Sequence, residues 1–158
     1  MAYKQIGYPI DSNHDAAKFE PGTIFQDGAT GKAYRYVLIE DADVANGDVV
    51  EYSDTSGYEV TKDRAGGASL GRHAAGVAVG TITDAQYGFI QIDGISSVTV
   101  PAAGAVAAGD LLVPHATSDG GVAKATTSTF KNAFAVALSA DTATTSVAGT
   151  CTAKLFRI

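Results

Sequence analysis

The chain has 158 residues, a length typical of one domain, and 46% of them are hydrophobic. Its formal net charge of −6 and isoelectric point near 4.8 argue against nucleic acid as a direct partner, because phosphate neutralisation needs clustered cations. No apolar run reaches the roughly 18 residues of a transmembrane helix, and the first residues lack the apolar core of a signal peptide. We therefore expect no nucleic-acid partner, no membrane partner, and synthesis in a cytoplasm.

Residues 1–22 are predicted to form an extended N-terminal arm. Pro9 and Pro21 oppose regular structure, and the large apolar residues around them follow no helical period. Such a segment suits a strap in a groove, on its own subunit or on a neighbour; the alternative is a disordered tail. We expect a groove outside this chain's own core, because local structure cannot bury these side chains. The residues expected to make this contact are Tyr3, Ile6, Tyr8, Ile10 and Phe19.

From residue 23 onward the pattern predicts β-structure, with room for a helix of one turn only at 83–87. Residues 32–39 alternate and are rich in aromatic and β-branched side chains, and Asn46-Gly47 is the strongest hairpin signal. Strands of about five residues with turn signals every 8–12 residues or so indicate an all-β, compact sandwich or barrel-like body. The other predicted strands are 49–52, 58–60, 77–82, 89–92, 97–100, 111–113, 122–125, 133–139 and 151–156.

A seven-residue segment occurs twice, 62 residues apart: VANGDVV at 44–50 returns as VAAGDLL at 106–112. Each copy is followed by a turn that leads to Val60 or Val122, then by a run of small residues and a strand-like run. Two repeats are too few for a solenoid, so we predict a duplicated β-module within one body. The predicted organisation is an arm over 1–22 and a single β domain over 23–158, with internal repeats of about 43–94 and 105–158.

Charge is unevenly placed along the chain. The segment between Arg72 and Lys124 contains no Lys or Arg and only four carboxylates. Ordinary solvated surface is about a quarter or more charged. We therefore expect part of the span 73–123 to pack against other chains, with a homotrimer as the expected assembly. The alternative is a core-forming segment whose exposed edges are rich in Ser and Thr.

The histidines and the Gly-rich loop fit no specific site. His14, His73 and His115 have no metal-ligand spacing, and residues 66–72 lack the order of a phosphate-binding loop. No GxSxG elbow is present to position a nucleophilic serine. We predict no enzyme, no catalytic residues, no cofactor and no metal site.

Three further residues are open to a chemical interpretation. Cys151 stands alone within an apolar alternation, which favours a small buried hydrophobe over a nucleophile. Asp48 and Asp110 occupy equivalent positions of the two repeats, where an acid–base pair is one interpretation. The structural interpretation is favoured: the preceding Gly supplies a positive φ, and the Asp hydrogen-bonds local backbone.

The pattern AxGDxV, GxAxG and AxGDxL extends over roughly residues 22–158, and its segments are 22–23, 27–28, 34–37, 45–50, 76–80, 88–94, 107–110 and 133–137. Together these segments resemble the small capsid decoration, or cement, proteins of tailed bacteriophages. The resemblance implies an all-β sandwich or barrel-like body, the outer capsid surface of a virion as location, the major capsid protein as partner, and no catalysis. It does not extend to residues 1–21, so the assignment of the arm residues to capsid or subunit contact rests on their own pattern: Tyr3, Ile6, Tyr8, Ile10 and Phe19.

The predicted function is therefore that of a virion structural protein, which decorates and stabilises a phage capsid by bridging neighbouring capsomers. The alternative is a head-fibre or tail adhesin module that binds a cell-surface glycan. That module would need an exposed aromatic platform, for which Tyr52, Tyr58 and Tyr87 are the candidates, although the chain has no Trp to stack on sugar rings. A tail-tube or head-completion protein is a further alternative.

Overall fold

The computed structural model describes residues 4–5 (backbone only), 9–53, 57–63 and 73–156. Within these ranges the chain forms eleven strands and one turn of 3-10 helix, so the all-β prediction is confirmed. No helix in the described ranges is long and apolar enough to cross a membrane. The strands are β1 (Lys4–Gln5), β2 (Ile24–Asp27), β3 (Lys32–Ile39), β4 (Val49–Tyr52), β5 (Glu59–Thr61), β6 (Ala74–Ala78), β7 (Tyr87–Val100), β8 (Leu111–Pro114), β9 (Val122–Lys124), β10 (Ala135–Ala137) and β11 (Gly149–Leu155), and the 3-10 helix is Phe130–Asn132.

Five strands close into a barrel, which we call the first half. Strand β3 pairs with β5 in parallel and with β7 in antiparallel orientation, so the ring runs β3-β5-β4-β6-β7 and returns to β3. Closure removes the free strand edges that an open sheet would expose. The barrel interior is filled by aliphatic side chains: Ala33, Val37, Ile39, Val44, Val50, Val60, Ala75, Ala78, Ile82, Ile90 and Ile92.

Strand β7 links this barrel to the rest of the molecule. The sequence predicted two strands, 89–92 and 97–100, but the structure has one strand of 14 residues. Gly94 lies within it at φ +96°, a left-handed conformation that suits glycine and lets the strand change direction without ending. The first part of β7 pairs with β3 and β6, and the part from Gly94 onward pairs with β11.

The second half contains β11, β10, β8 and β9 beside the end of β7, and its pairing repeats that of the barrel. Val60 lies opposite Tyr52 in β4, and Val122 lies opposite Pro114 in β8, at the same offset of 62 residues. The second half is not closed by a ladder among its described strands, because none joins β9 to β7. The repeat boundaries themselves, 43–94 and 105–158, stay a prediction.

Strands β4 and β6 are walls that the two halves share, because their side chains pack into both cores. Val49 packs into the core of the second half, whereas Val50 packs into the barrel interior, and Ala74 and Ala75 divide in the same way. Neighbouring residues of a strand point to opposite faces, so β4 and β6 each serve two cores. The second core contains Val49, Ala74, Val77, Val98, Val100, Val106, Leu112, Val122, Phe134, Ala135, Ala137, Cys151, Ala153 and Leu155.

Residues 9–20, which we call the strap, run over the outside of the barrel. There the side chains of Phe25, Tyr34, Tyr36 and Phe89 form a third cluster, against which strap residues pack. At 83–87, where the sequence left room for one helical turn, no helix forms: the chain makes a hydrogen-bonded turn before β7, and Ala85 has φ +60°, which a right-handed helix does not allow.

Candidate interaction surfaces

The two Gly-Asp turns, 45–48 and 107–110, have the same geometry. Gly47 and Gly109 both have φ +91°. In each turn the Asp carboxylate accepts a hydrogen bond from the N–H of the first turn residue, at 3.0 Å in the first turn and 2.9 Å in the second. These contacts agree with the structural interpretation, in which Gly supplies the positive φ and Asp bonds local backbone.

Each of these carboxylates also pairs with a lysine. Asp48 Oδ2 lies 3.0 Å from Lys62 Nζ, and Asp110 Oδ1 lies 2.6 Å from Lys124 Nζ. The hydrogen bond from Lys124 and a backbone N–H hold the pKa of Asp110 below its ordinary value. Each carboxylate is thus ion-paired with a lysine beside or in the strand that follows its own repeat's hairpin, and the contacts give no support to an acid–base pair.

Only the first turn is embedded in the molecule. The Gly47 C=O accepts a hydrogen bond from the N–H of Thr99 in β7 at 3.0 Å, and the N–H of Val49 donates to the C=O of Gly120, beside β9, at 2.7 Å. The first turn therefore bridges the seam between β7 and β9 that no ladder closes. A Cβ placed on Gly109 would meet no atom within 4 Å.

Cys151 lies on the inner side of β11 and is 2% exposed, so the prediction of a small buried hydrophobe is confirmed. Burial, and to a lesser extent the charge of Asp141, raises the pKa of its thiol to about 11. The thiolate is the reactive form of cysteine, so this thiol is held in its inert form at neutral pH.

The three histidines lie in different environments. His14 is buried in the strap, and His73 is exposed. His115 Nδ1 accepts hydrogen bonds from the N–H groups of Thr117 and Ser118, which orders a turn. In the part of the chain that the structure describes, no three His, Cys, Asp or Glu side chains are placed to hold a metal ion. The Gly-rich segment 66–72 lies outside the described residues.

The strap is where the predicted contact residues fall. The Phe19 ring makes edge contacts with Phe25 and Tyr36, at centroid distances of 4.9 and 5.3 Å, and Ile10 packs on the same cluster. The expectation that these two side chains stay out of this chain's own core is therefore wrong. The physical reason is that the barrel's outer aromatic face needs a cover, and a segment of the same chain is present at high effective concentration.

The other predicted contact residues, Tyr3, Ile6 and Tyr8, lie outside the described side chains. The contact role of all five residues stays a prediction.

Hydrogen bonds hold the strap on the barrel. His14 and Tyr87 exchange backbone hydrogen bonds at 2.9 Å in both directions, and His14 Nδ1 lies 3.1 Å from the Tyr36 hydroxyl. That hydroxyl also accepts the N–H of Lys18 at 3.2 Å.

The three tyrosines of the glycan alternative do not form one platform. Tyr87 is half-buried and stacks on Tyr36, with ring centroids 5.9 Å apart, in the cluster beneath the strap. Tyr52 and Tyr58 form a separate pair, with centroids 6.4 Å apart. Arg35 joins this pair by a hydrogen bond to the Tyr52 hydroxyl and lies 5.7 Å from the Tyr58 ring centroid. Tyr58 is the exposed member of this pair, at 42%.

Charge is segregated between the two halves of the sequence. Residues 1–93 contain 14 carboxylates and 7 Lys or Arg, a formal charge of −7, whereas residues 94–158 contain 3 and 4, a formal charge of +1. The acidity of the molecule therefore comes from residues 1–93, the part of the chain that contains the strap and most of the barrel. The charge-poor span 73–123 is divided: β6, β8 and much of β7 supply core residues, as the alternative interpretation expected, and the remainder is surface.

In the second half, the end of β7, β11, β10 and β8 pair side by side, and we call them the second sheet. The charge-poor surface includes the side of this sheet that faces solvent, which we call the outer face. Along β11 the side chains alternate, with Cys151, Ala153 and Leu155 buried and the residues between them exposed. Residues paired across antiparallel strands lie on the same face of a sheet. The outer face comprises Ile95, Ser97, Thr99, Leu111, Val136, Leu138, Thr150, Thr152 and Lys154.

The outer face consists of four aliphatic residues, four Ser or Thr residues and one lysine, so it is almost uncharged. Ile95 is 49% exposed and Leu138 is 48% exposed. Its one ionised side chain, Lys154, lies with Nζ 3.2 Å from Asp93 Oδ1. The face continues into an open groove of about 430 Å³ between the strap, the barrel and the second sheet. The groove lining includes Ile10, Tyr34, Val79, Ile95, Ser97 and Thr152.

Comparison with known proteins gives a structural likeness. No family model matches the chain, and no curated protein matches it. Among solved structures, the chain is similar to the N base of head fiber gp8.5 of bacteriophage phi29, with 16% sequence identity and a TM-score of 0.49. The match covers 80% of this chain and 95% of that chain. A match at this identity and TM-score does not establish a shared function.

Proposed function

We propose that this chain is a structural protein of a tailed-bacteriophage virion, and that it decorates and stabilises the capsid by bridging neighbouring capsomers. The observation that carries the proposal is the division of charge along the chain into an acidic first part, residues 1–93, and a nearly neutral remainder with an almost uncharged outer face. The resemblance of residues 22–158 to cement proteins supports the same function. A protein that binds the assembled shell, and not its free subunits, stabilises the shell by mass action.

The acidic first half suits a basic or mixed surface on the shell. Complementary charge speeds association and discriminates between partners, and its effect falls as salt screens it. The major capsid protein is the proposed partner, on the outer surface of the particle, and the protein is proposed to act as a homotrimer made in the host cytoplasm. The proposal involves neither catalysis nor a cofactor, and neither nucleic acid nor a membrane as partner.

The proposal is tested on purified particles of the phage that encodes the chain. Gel bands should show this chain at copy numbers near those of the major capsid protein, and shells depleted of the chain should rebind it and then resist heat better. A handful of copies per particle would favour a fibre or tail component. Absence of the chain from particles would contradict the proposal.

One observation favours the alternative of a glycan-binding adhesin. Tyr58 is exposed and lies beside Arg35, and an aromatic ring next to a guanidinium is suited to an acidic sugar. The discriminating measurement is binding to host cells and to immobilised glycans by the native chain and by Tyr58→Ala. Binding that is lost in the variant would support the adhesin.

A further inference from the structure

We infer that the outer face of the second sheet binds a second copy of this chain. The inference deepens the proposed function and rests on it, because it assigns the self-association of the decoration protein to one surface and leaves the acidic first half for the shell. The central residues of the outer face are Ile95 in β7, Thr152 in β11 and Leu138 just after β10. Because they come from three parts of the chain, no single stretch of sequence identifies them.

Four aliphatic side chains of the outer face are exposed or partly exposed to solvent. Ile95 and Leu138 are each about half exposed, while Leu111 and Val136 are partly exposed between them and the edge of the sheet. The other side of the same sheet is already packed against the second core. Exposed apolar patches on a soluble protein mark interaction sites. The β-branched Thr150 and Thr152 add methyl groups and hydroxyls to this patch.

The distribution of charge favours a second copy of the chain, and not the shell, as the partner of the outer face. Two copies that met through their first halves would bring like charges together, since residues 1–93 have a formal charge of −7. The outer face has one cation, Lys154, which already pairs with Asp93. The carboxylates that adjoin the face, Asp93 and Asp48, are each paired with a lysine, so two copies can meet here without opposing unpaired carboxylates. Interface centres are depleted of charged residues. A basic shell surface is matched by the first half instead.

The groove beside the outer face can receive a side chain from the second copy. Ile95, Ser97 and Thr152 belong to both the outer face and the groove of about 430 Å³. A copy seated on the face therefore reaches the groove as well, where one of its side chains can be enclosed. Enclosed side chains near the centre of an interface contribute most of its affinity.

The test is the association state of charge variants. Thr152→Asp and Leu138→Asp each place a carboxylate on the outer face. The control Thr127→Asp makes the same substitution as Thr152→Asp, but at an exposed turn beyond β9. We expect the native chain and Thr127→Asp to associate, and the two face variants to dissociate at least ~10-fold more readily, because an unpaired charge would be buried. The measurement is sedimentation velocity with light scattering, and circular dichroism shows that each variant folds.

A native chain that stays monomeric at about 100 µM would overturn the inference, and so would face variants that associate like the native chain. Thr152→Asp keeps the test decisive if Leu138→Asp fails to fold, because Thr152 is exposed and directed away from the core. Shell binding is measured separately with the same proteins. Native protein that associates but does not bind shells would contradict the proposed decoration of the shell and leave this inference standing. Monomeric native protein that binds shells would contradict this inference and the homotrimer, and leave the decoration of the shell standing.

Discussion

Gly47 and Gly109 share the same backbone angle, φ +91°, at turns that lie 62 residues apart. Their surroundings differ. A Cβ on Gly47 would lie 3.4 Å from the Ser97 carbonyl oxygen and from Thr99 Oγ1, whereas a Cβ on Gly109 would have no neighbour within 4 Å. The same local structure is thus embedded in one half and open in the other, which allows local strain and packing to be separated by experiment.

Substituting each of these glycines with Ala should destabilise the protein. Both Gly47→Ala and Gly109→Ala force an L side chain into the left-handed region, at a cost of about 1–2 kcal/mol. Gly47→Ala should cost more, because its new methyl group meets the seam that the first turn bridges. The free energy of unfolding in urea measures both. A larger loss for Gly109→Ala would contradict the assignment of the first turn as the embedded one.

The two Asp–Lys pairs should differ in strength. The Lys62 side chain is 24% exposed and that of Lys124 is 60% exposed, so water screens the second pair more. Double-mutant cycles with Asp→Asn and Lys→Met should give a coupling of about 0.5–1 kcal/mol for Asp48–Lys62 and about 0–0.5 kcal/mol for Asp110–Lys124. Added salt should reduce the second value more. The reverse order would mean that burial does not govern these pairs.

Stability should fall at alkaline pH partly through Cys151. Burial raises the pKa of the folded thiol from 9.0 to about 11, so well below pH 9 the thiol is protonated in both states and no stability is lost. As the pH rises from 9 to 11 the unfolded thiol ionises first, which favours unfolding. Cys151→Ala should therefore lose less stability between pH 8 and pH 10.5 than the native chain. Equal losses would show that burial does not hold the thiol protonated.

Removing Phe19 should destabilise this chain. Phe19 packs on three rings beneath the strap, so Phe19→Ala should lower the free energy of unfolding by about 1.5–3 kcal/mol, as expected for a largely covered aromatic side chain. Lys18→Ala, at an exposed neighbouring position, is the matched control and should change it by less than about 0.5 kcal/mol. A folded and unchanged Phe19→Ala that fails to bind shells would instead restore the arm as an external contact.

The sequence predicted the features that depend on local chemistry. The turns at Gly47 and Gly109 and the positions of Val60 and Val122 could be derived from it, because turn residues and alternation act over a few residues. The continuity of β7 could not, since a glycine within a strand resembles a turn. The cover over Tyr36 and Phe89 was also missed, because the choice between a strap of the same chain and a neighbour depends on tertiary contacts. The outer face was missed for the same reason: Ile95 and Leu138 are 43 residues apart in sequence.

The shared walls of the two halves have a consequence for how the molecule loses its structure. Val49 and Val50 are adjacent, yet each is anchored in a different core, so fraying of β4 would open both at once. Heat should therefore melt the chain in one transition, with equal calorimetric and van't Hoff enthalpies. A gene fragment that encodes either half alone would lack part of its enclosure, so the two fragments should gain order only when they are mixed.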